Sequence, residues 1–127
     1  MAAAERGFMN PRDPLTLLPL THLAYHVLLA LADEARHGYG IIKEVFERTD
    51  GEMELETGTL YAALKRLRDE GLLETVPRAE RPAGEDSRRR NYRLTPFGRK
   101  VLAAESQRLA RLLDVAAEKR VLPIGPA

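Results

Sequence analysis

The stretch Gly58-Thr59-Leu60-Tyr61-Ala62-Ala63-Leu64-Lys65-Arg66-Leu67-Arg68-Asp69-Glu70-Gly71 decides the fold. At about 100° per residue, Leu60, Leu64 and Leu67 share one face of a helix, and Gly58, Ala62, Lys65 and Asp69 share the opposite one. Tyr61 and Arg68 lie on one flank, Thr59 and Arg66 on the other. Thr57 precedes the stripe and Gly71 stands one turn beyond it as a stop signal. A helix with a leucine back and a small, polar, partly basic front can enter a DNA major groove, where small residues make the closest approach. Taken alone, the same pattern also fits a solvated helix face.

Upstream, Leu20, Leu23, Ala24, Val27, Leu28 and Leu31 recur at helical spacing and predict a first helix. Gly38-Tyr39-Gly40 then opens a second helix through Ile41, Ile42, Val45 and Phe46, ending around Thr49-Asp50-Gly51. Glu52 to Glu56 alternates polar and apolar residues, which suggests a short extended piece. Downstream, Leu72 to Val76 and Asn91 to Leu94 read as two strands of a hairpin with a long polar tip. Thr95-Pro96 supplies an N-cap and a proline at the first helical position for a long last helix reaching about Lys119. Helix, helix, helix, hairpin, helix is a mainly α chain with a small β-hairpin, the order of a winged helix-turn-helix domain with an added C-terminal helix. The expected organisation is a flexible arm over 1–14, a DNA-binding domain over 15–95, a dimerisation helix over 96–119 and a flexible tail over 120–127.

With 127 residues, 44% hydrophobic and 31% charged, the chain has room for one core and lies outside the composition of disordered proteins. There is no cysteine, which excludes disulfides, thiolate zinc sites and cysteine nucleophiles. No apolar run approaches the roughly 20 residues of a membrane span, and no secretory signal is visible. The expected location is the cytoplasm. The net charge of +1 is not that of a strongly basic DNA-binding domain, but the charge is segregated. Lys43 to Glu56 holds six acidic residues against two basic ones, and Arg78 to Lys100 holds eight basic against three acidic.

The basic segment centres on Ser87-Arg88-Arg89-Arg90-Asn91-Tyr92-Arg93, beside the hairpin turn. Cations on an arm that straddles the backbone suit phosphate contacts, and following a helix-turn-helix pattern they favour nucleic acid. The chain also resembles the PadR-like transcriptional regulators. His37-Gly38-Tyr39-Gly40-Ile41-Ile42, the Gly58 to Leu67 run, Glu70-Gly71-Leu72-Leu73, and Arg89-Arg90-Asn91-Tyr92-Arg93-Leu94-Thr95 with Gly98 carry the likeness, which extends over about Leu20 to Glu118. The run Gly51-Glu52-Met53-Glu54-Leu55 and the single C-terminal helix look most like the compact branch that includes multidrug-sensing repressors. The resemblance implies that the third helix is the recognition helix, with Thr59, Tyr61 and Lys65 facing DNA and Arg88, Arg89 and Arg90 on phosphates. Tyr39, Thr57 and Arg66 complete the expected DNA-facing set. Many members have proline where Ala62 stands here. Leu109 falls where drug-sensing members carry a stacking tryptophan, a residue this chain lacks.

On the last helix, Val101, Leu102, Leu109, Leu112, Leu113 and Ala116 form a stripe too wide for one small domain to cover. Leu102, Leu109, Leu112, Leu113 and Ala116 are therefore expected at a homodimer interface, the alternative being a helix folded back on the first. A pocket for a small hydrophobic effector is expected at Tyr25, Leu29 and Leu109. His22 and His26 are four apart, but two ligands are not a metal site, and no metal or cofactor is expected. No nucleophile and base stand at a recognisable spacing and no phosphate loop is present, so the chain does not read as an enzyme. The reading is a homodimeric repressor of double-stranded DNA with a near-palindromic operator, released by a small effector. Its rival is a winged-helix protein-interaction module without DNA binding.

Overall fold

The structure, a computed structural model, describes residues 13–81, 84 and 89–123. Most of the expected arm, Arg88 of the wing and residues 124–127 of the tail lie outside the described residues. The described residues form four helices, α1 (His22–Ala30), α2 (Gly38–Arg48), α3 (Thr57–Asp69) and α4 (Pro96–Glu118), and a three-stranded antiparallel sheet. Its strands β1 (Arg36–His37), β2 (Leu73–Thr75) and β3 (Asn91–Leu94) lie in the order β1-β3-β2. This is a winged helix-turn-helix with a C-terminal helix.

The helix ends follow local chemistry. Thr21 caps α1 by accepting the Ala24 N–H at 3.0 Å. Gly71 ends α3 at φ 80°, a left-handed conformation that glycine adopts without penalty. The Leu72 and Gly71 N–H groups turn back to the carbonyls of Leu67 and Arg68 at 2.9 and 3.0 Å, satisfying two of the four carbonyls a helix end leaves open. Asp13 and Pro14, at the end of the expected arm, cap and open a 3-10 turn, Pro14–Leu17.

The core joins Val27, Leu28 and Leu31 of the first helical region to Ile41 and Val45 of α2 and Leu60, Leu64 and Leu67 of α3. Leu72, Leu73, Tyr92, Val101 and Leu102 close it from the wing and α4. One expectation changes. The sheet has a third strand, since Arg36 pairs with Tyr92 and His37 with Asn91. The Glu52 to Glu56 segment joins no sheet strand, and its apolar residues Met53 and Leu55 pack on the core.

A tight junction seats α4. The Thr95 hydroxyl donates to the Gly71 carbonyl at 2.6 Å and accepts the Gly98 N–H at 2.9 Å. The Thr95 N–H donates to the Leu72 carbonyl at 3.1 Å. A Cβ on Gly98 would stand 1.8 Å from that carbonyl oxygen, so the helix meets the β2 entry at backbone distance. Farther along, the Glu105 carboxylate, 1% exposed as a residue, accepts the Leu20 N–H at 2.8 Å and pairs with Arg108. Hydrogen bonds from Arg108 hold its carboxyl below the usual carboxylate range, against burial, which pushes the other way.

Two predictions follow from these contacts. Gly98→Ala forces backbone from backbone and should cost about 1–3 kcal/mol or more, read as a drop in denaturant midpoint; a midpoint equal to the parent's would mean that the junction is looser than its geometry. Because the folded pKa of Glu105 is depressed, its contribution is present above the unfolded value of about 4.3 and is lost as pH falls through the folded value. Glu105→Gln should therefore melt below the parent at neutral pH, with the gap closing as pH falls below about 4. A gap independent of pH would remove the carboxylate charge from the account.

Candidate nucleic-acid interface

The sheet register sets the site. Tyr92 of β3 faces the core, which places the preceding Arg89 and Arg90 at the base of the wing, beside β1 and the start of α2. His37 links these elements. Its Nδ1 accepts the Gly40 N–H at 3.1 Å and caps α2, while its ring stacks on Tyr39 with centroids 6.4 Å apart. From the other side Tyr61 of α3 leans over the same helix start; a Cβ on Gly38 would stand 2.4 Å from the Tyr61 hydroxyl oxygen. His37, Gly38, Tyr39, Tyr61, Arg89, Arg90 and Tyr92 thereby surround one open cleft of about 410 Å³.

The electrostatics of this cleft follow from its hydrogen bonds. A neutral imidazole accepts at one nitrogen only, and the α2 cap uses Nδ1. Arg89 lies 3.1 Å from His37 Nε2, yet with Nδ1 accepting both groups there are donors, so this nitrogen offers the guanidinium no acceptor. Among the described residues neither Arg89 nor Arg90 has a carboxylate partner within ion-pair distance. Of the acidic stretch nearby, Glu44 is paired locally, within 3.8 Å of Arg36 and bonded to Arg48. Burial, and then the Tyr61 phenol, push the Tyr92 hydroxyl above its ordinary range. The cleft thus brings together two cations and three phenols, a set that can receive an anionic backbone.

Of the expected DNA-facing residues, Tyr39, Tyr61, Arg89 and Arg90 come together here. Thr59 and Arg66 line a different groove, of about 290 Å³, between α3 and the start of α1. Thr57 is exposed in the first turn of α3, and Lys65 is exposed and paired with Asp69 at 3.0 Å. His37 was not among the expected site residues; an acceptor side chain immediately before a helix start was the available signal.

The α4 stripe divides. Leu102 is corrected from the interface to the chain's own core, at 6% exposure, because the Gly98 junction presses this part of α4 onto the domain. Leu109 and Ala116 are half-buried, while Leu112 and Leu113 are 54% and 53% exposed. Of the expected effector residues, Tyr25 hydrogen-bonds through its hydroxyl to Ser106 at 2.7 Å, and Leu29 packs against the core. His22 and His26 meet edge to face at 4.5 Å, and His26 is held below the ordinary histidine range by burial, then by His22 and Arg48. Among the described residues no three His, Cys, Asp or Glu side chains could hold a metal, and no helix is long and apolar enough to cross a membrane.

Fold and cleft define a winged-helix protein of the DNA-binding class. The transcriptional regulator PadR-like family matches residues 27–104, and the chain belongs to that family. A PadR family transcription regulator from Clostridium difficile is similar at 28% identity and a TM-score of 0.65, over 77% of this chain and 97% of that one. Bacillus subtilis PadR, solved in complex with operator DNA, is similar at 25% identity and a TM-score of 0.56, over 66% of this chain and 46% of that one. An uncharacterized 37.1 kDa protein of a Streptomyces fradiae transposon is 42% identical over 86 residues, 68% of this chain. The match spans only 22% of that relative.

Proposed function

We propose that this chain is a cytoplasmic, homodimeric transcriptional repressor that reads a near-palindromic operator through α3 and grips the flanking backbone with its wing. The observation that carries this reading is the cleft in which Tyr39 and Tyr61 stand beside Arg89 and Arg90, cations without acidic partners among the described residues. Phosphate contacts fix register and supply affinity, while the exposed front of α3, with Thr57, Thr59, Tyr61, Lys65 and Arg66, supplies base recognition. The Lys65–Asp69 pair is a surface pair between helix neighbours, weak enough for DNA to displace. Operator DNA bound to Bacillus subtilis PadR supports the same use of the fold here. Arg88 belongs to the proposed wing set on sequence grounds.

Pairing takes place through the outer half of α4. Leu109, Leu112, Leu113 and Ala116 present an apolar stripe that a second copy would cover, giving the two-fold symmetry that paired half-sites require. A small hydrophobic effector bound beside Tyr25, Leu29 and Leu109 would then act where the pairing helix meets α1.

The test begins by selecting duplexes from a random-sequence pool with the full chain. Arg89→Ala with Arg90→Ala should weaken binding to selected and unselected duplexes alike and flatten the dependence on salt, by about one unit of slope per lost phosphate contact. Retained affinity would take the wing out of the interface, and a parent that enriches no duplex would favour the protein-interaction reading. For the dimer, Leu109→Asp with Leu112→Asp should yield folded monomers in sedimentation, since carboxylates in an apolar contact are costly. A folded dimer would place the subunit contact elsewhere.

A further inference from the structure

The wing carries a second kind of arginine, one bound within the wing itself. Arg93 of β3 stands opposite Glu74 of β2 in the sheet register. Its Nε donates to Glu74 at 2.8 Å, and one terminal nitrogen donates to Glu80 at 2.9 Å. Glu80 closes the 3-10 turn Arg78–Glu80, where the chain leaves β2 for the wing tip. One planar guanidinium therefore ties three points of the wing stem, separated by 13 and 19 residues in sequence. A second tie lies just beyond, where the Arg81 guanidinium donates to the Arg89 carbonyl. That carbonyl belongs to the residue whose side chain lines the cleft.

We propose that Arg93 is a positioning residue for DNA recognition: clasped by Glu74 and Glu80, it touches no DNA and instead fixes the wing stem so that Arg89 and Arg90 face the backbone. This rests on the reading of the wing as a DNA-binding arm. The alternative role for Arg93, a phosphate ligand like its neighbours, requires it to leave both carboxylates. The two roles predict opposite signs when the carboxylates are neutralised. Removing two negative charges near DNA strengthens binding by simple electrostatics and frees Arg93 for a phosphate. Loosening a clasp weakens the aligned complex while leaving non-specific attraction intact or stronger.

The experiment measures the full chain on two probes of equal length, a duplex enriched by the parent from a random pool and a mixed-sequence duplex, across a salt series. Glu74→Gln with Glu80→Gln should lose on the order of fivefold or more in affinity for the enriched duplex, with no loss on the mixed one. Adding Arg93→Gln to that pair should cost little more, because its effect runs through the missing clasp. Arg93→Lys keeps the charge but not the two-edged fork, and should behave like Arg93→Gln. Tighter binding by the double carboxamide variant with a steeper salt slope would overturn the proposal and make Arg93 a phosphate ligand. Parent-like discrimination in Arg93→Lys would overturn it as well. If the parent enriches no duplex, the DNA reading falls and takes this proposal with it, whereas failure of the variants alone leaves that reading standing.

Discussion

The contact between Gly98 and the Leu72 carbonyl sets the geometry of the rest. A side chain of any size at Gly98 would collide with backbone. Without one, the first turn of α4 lies directly on the strand that begins the wing. Thr95 fastens the same point from both sides, bonding Gly71 at the end of α3 and Gly98 at the start of α4. α3, the wing and α4 thus share a junction a few residues wide, and Val101 and Leu102 are pressed into the core as a result. The outer half of α4 projects past the domain for the same reason, which is why Leu112 and Leu113 remain uncovered.

Charge follows a similar division. Arg36 and Arg48 are engaged with the acidic residues beside them, and the Arg99 guanidinium donates to the Ala32 carbonyl at 2.9 Å. Arg93 and Arg81 tie the wing stem. Arg89 and Arg90 stand in the cleft without an acidic partner among the described residues. As the proposed DNA-binding cleft, the arrangement would need no large net charge, because its cations are gathered beside α2 and α3.

Much of this was legible in sequence, and the exceptions have physical reasons. Leu60, Leu64 and Leu67 are buried as their spacing required, and Thr95-Pro96 opens α4 with the expected cap. The strand β1 was invisible because two residues show no alternation; only the partner strand defines it. Leu102 shares a seven-residue spacing with Leu109 and Ala116, and periodicity cannot say where along one face a helix passes from its own core to open solvent. Counting arginines over Arg78 to Lys100 overstated the available charge, since whether a guanidinium is occupied depends on cross-strand partners that sequence order conceals. His37 was read as part of a motif, but its cap on Gly40 and its place beside Arg89 became apparent only with β1 in position.

The ties between α4 and the remainder of the domain bear on how binding at one end could reach the other. Glu105 holds the Leu20 N–H, Tyr25 holds Ser106, and Arg99 holds the end of the first helical region. These contacts occur along the inner half of α4, and they join it to α1 and the segment before it rather than to α3. In the proposed dimer, a change in the angle at which two α4 helices pair would therefore move α1 with them. It would reach α3 through the apolar contacts of Val27 and Leu28 with the α3 leucines in the common core, and through the Thr95 junction. Packed cores transmit such displacements because they have few voids to absorb them. Under the proposed function, coupling of this kind requires that an effector favour one pairing angle over another, and only that difference in affinity would alter the spacing of the two α3 helices on DNA.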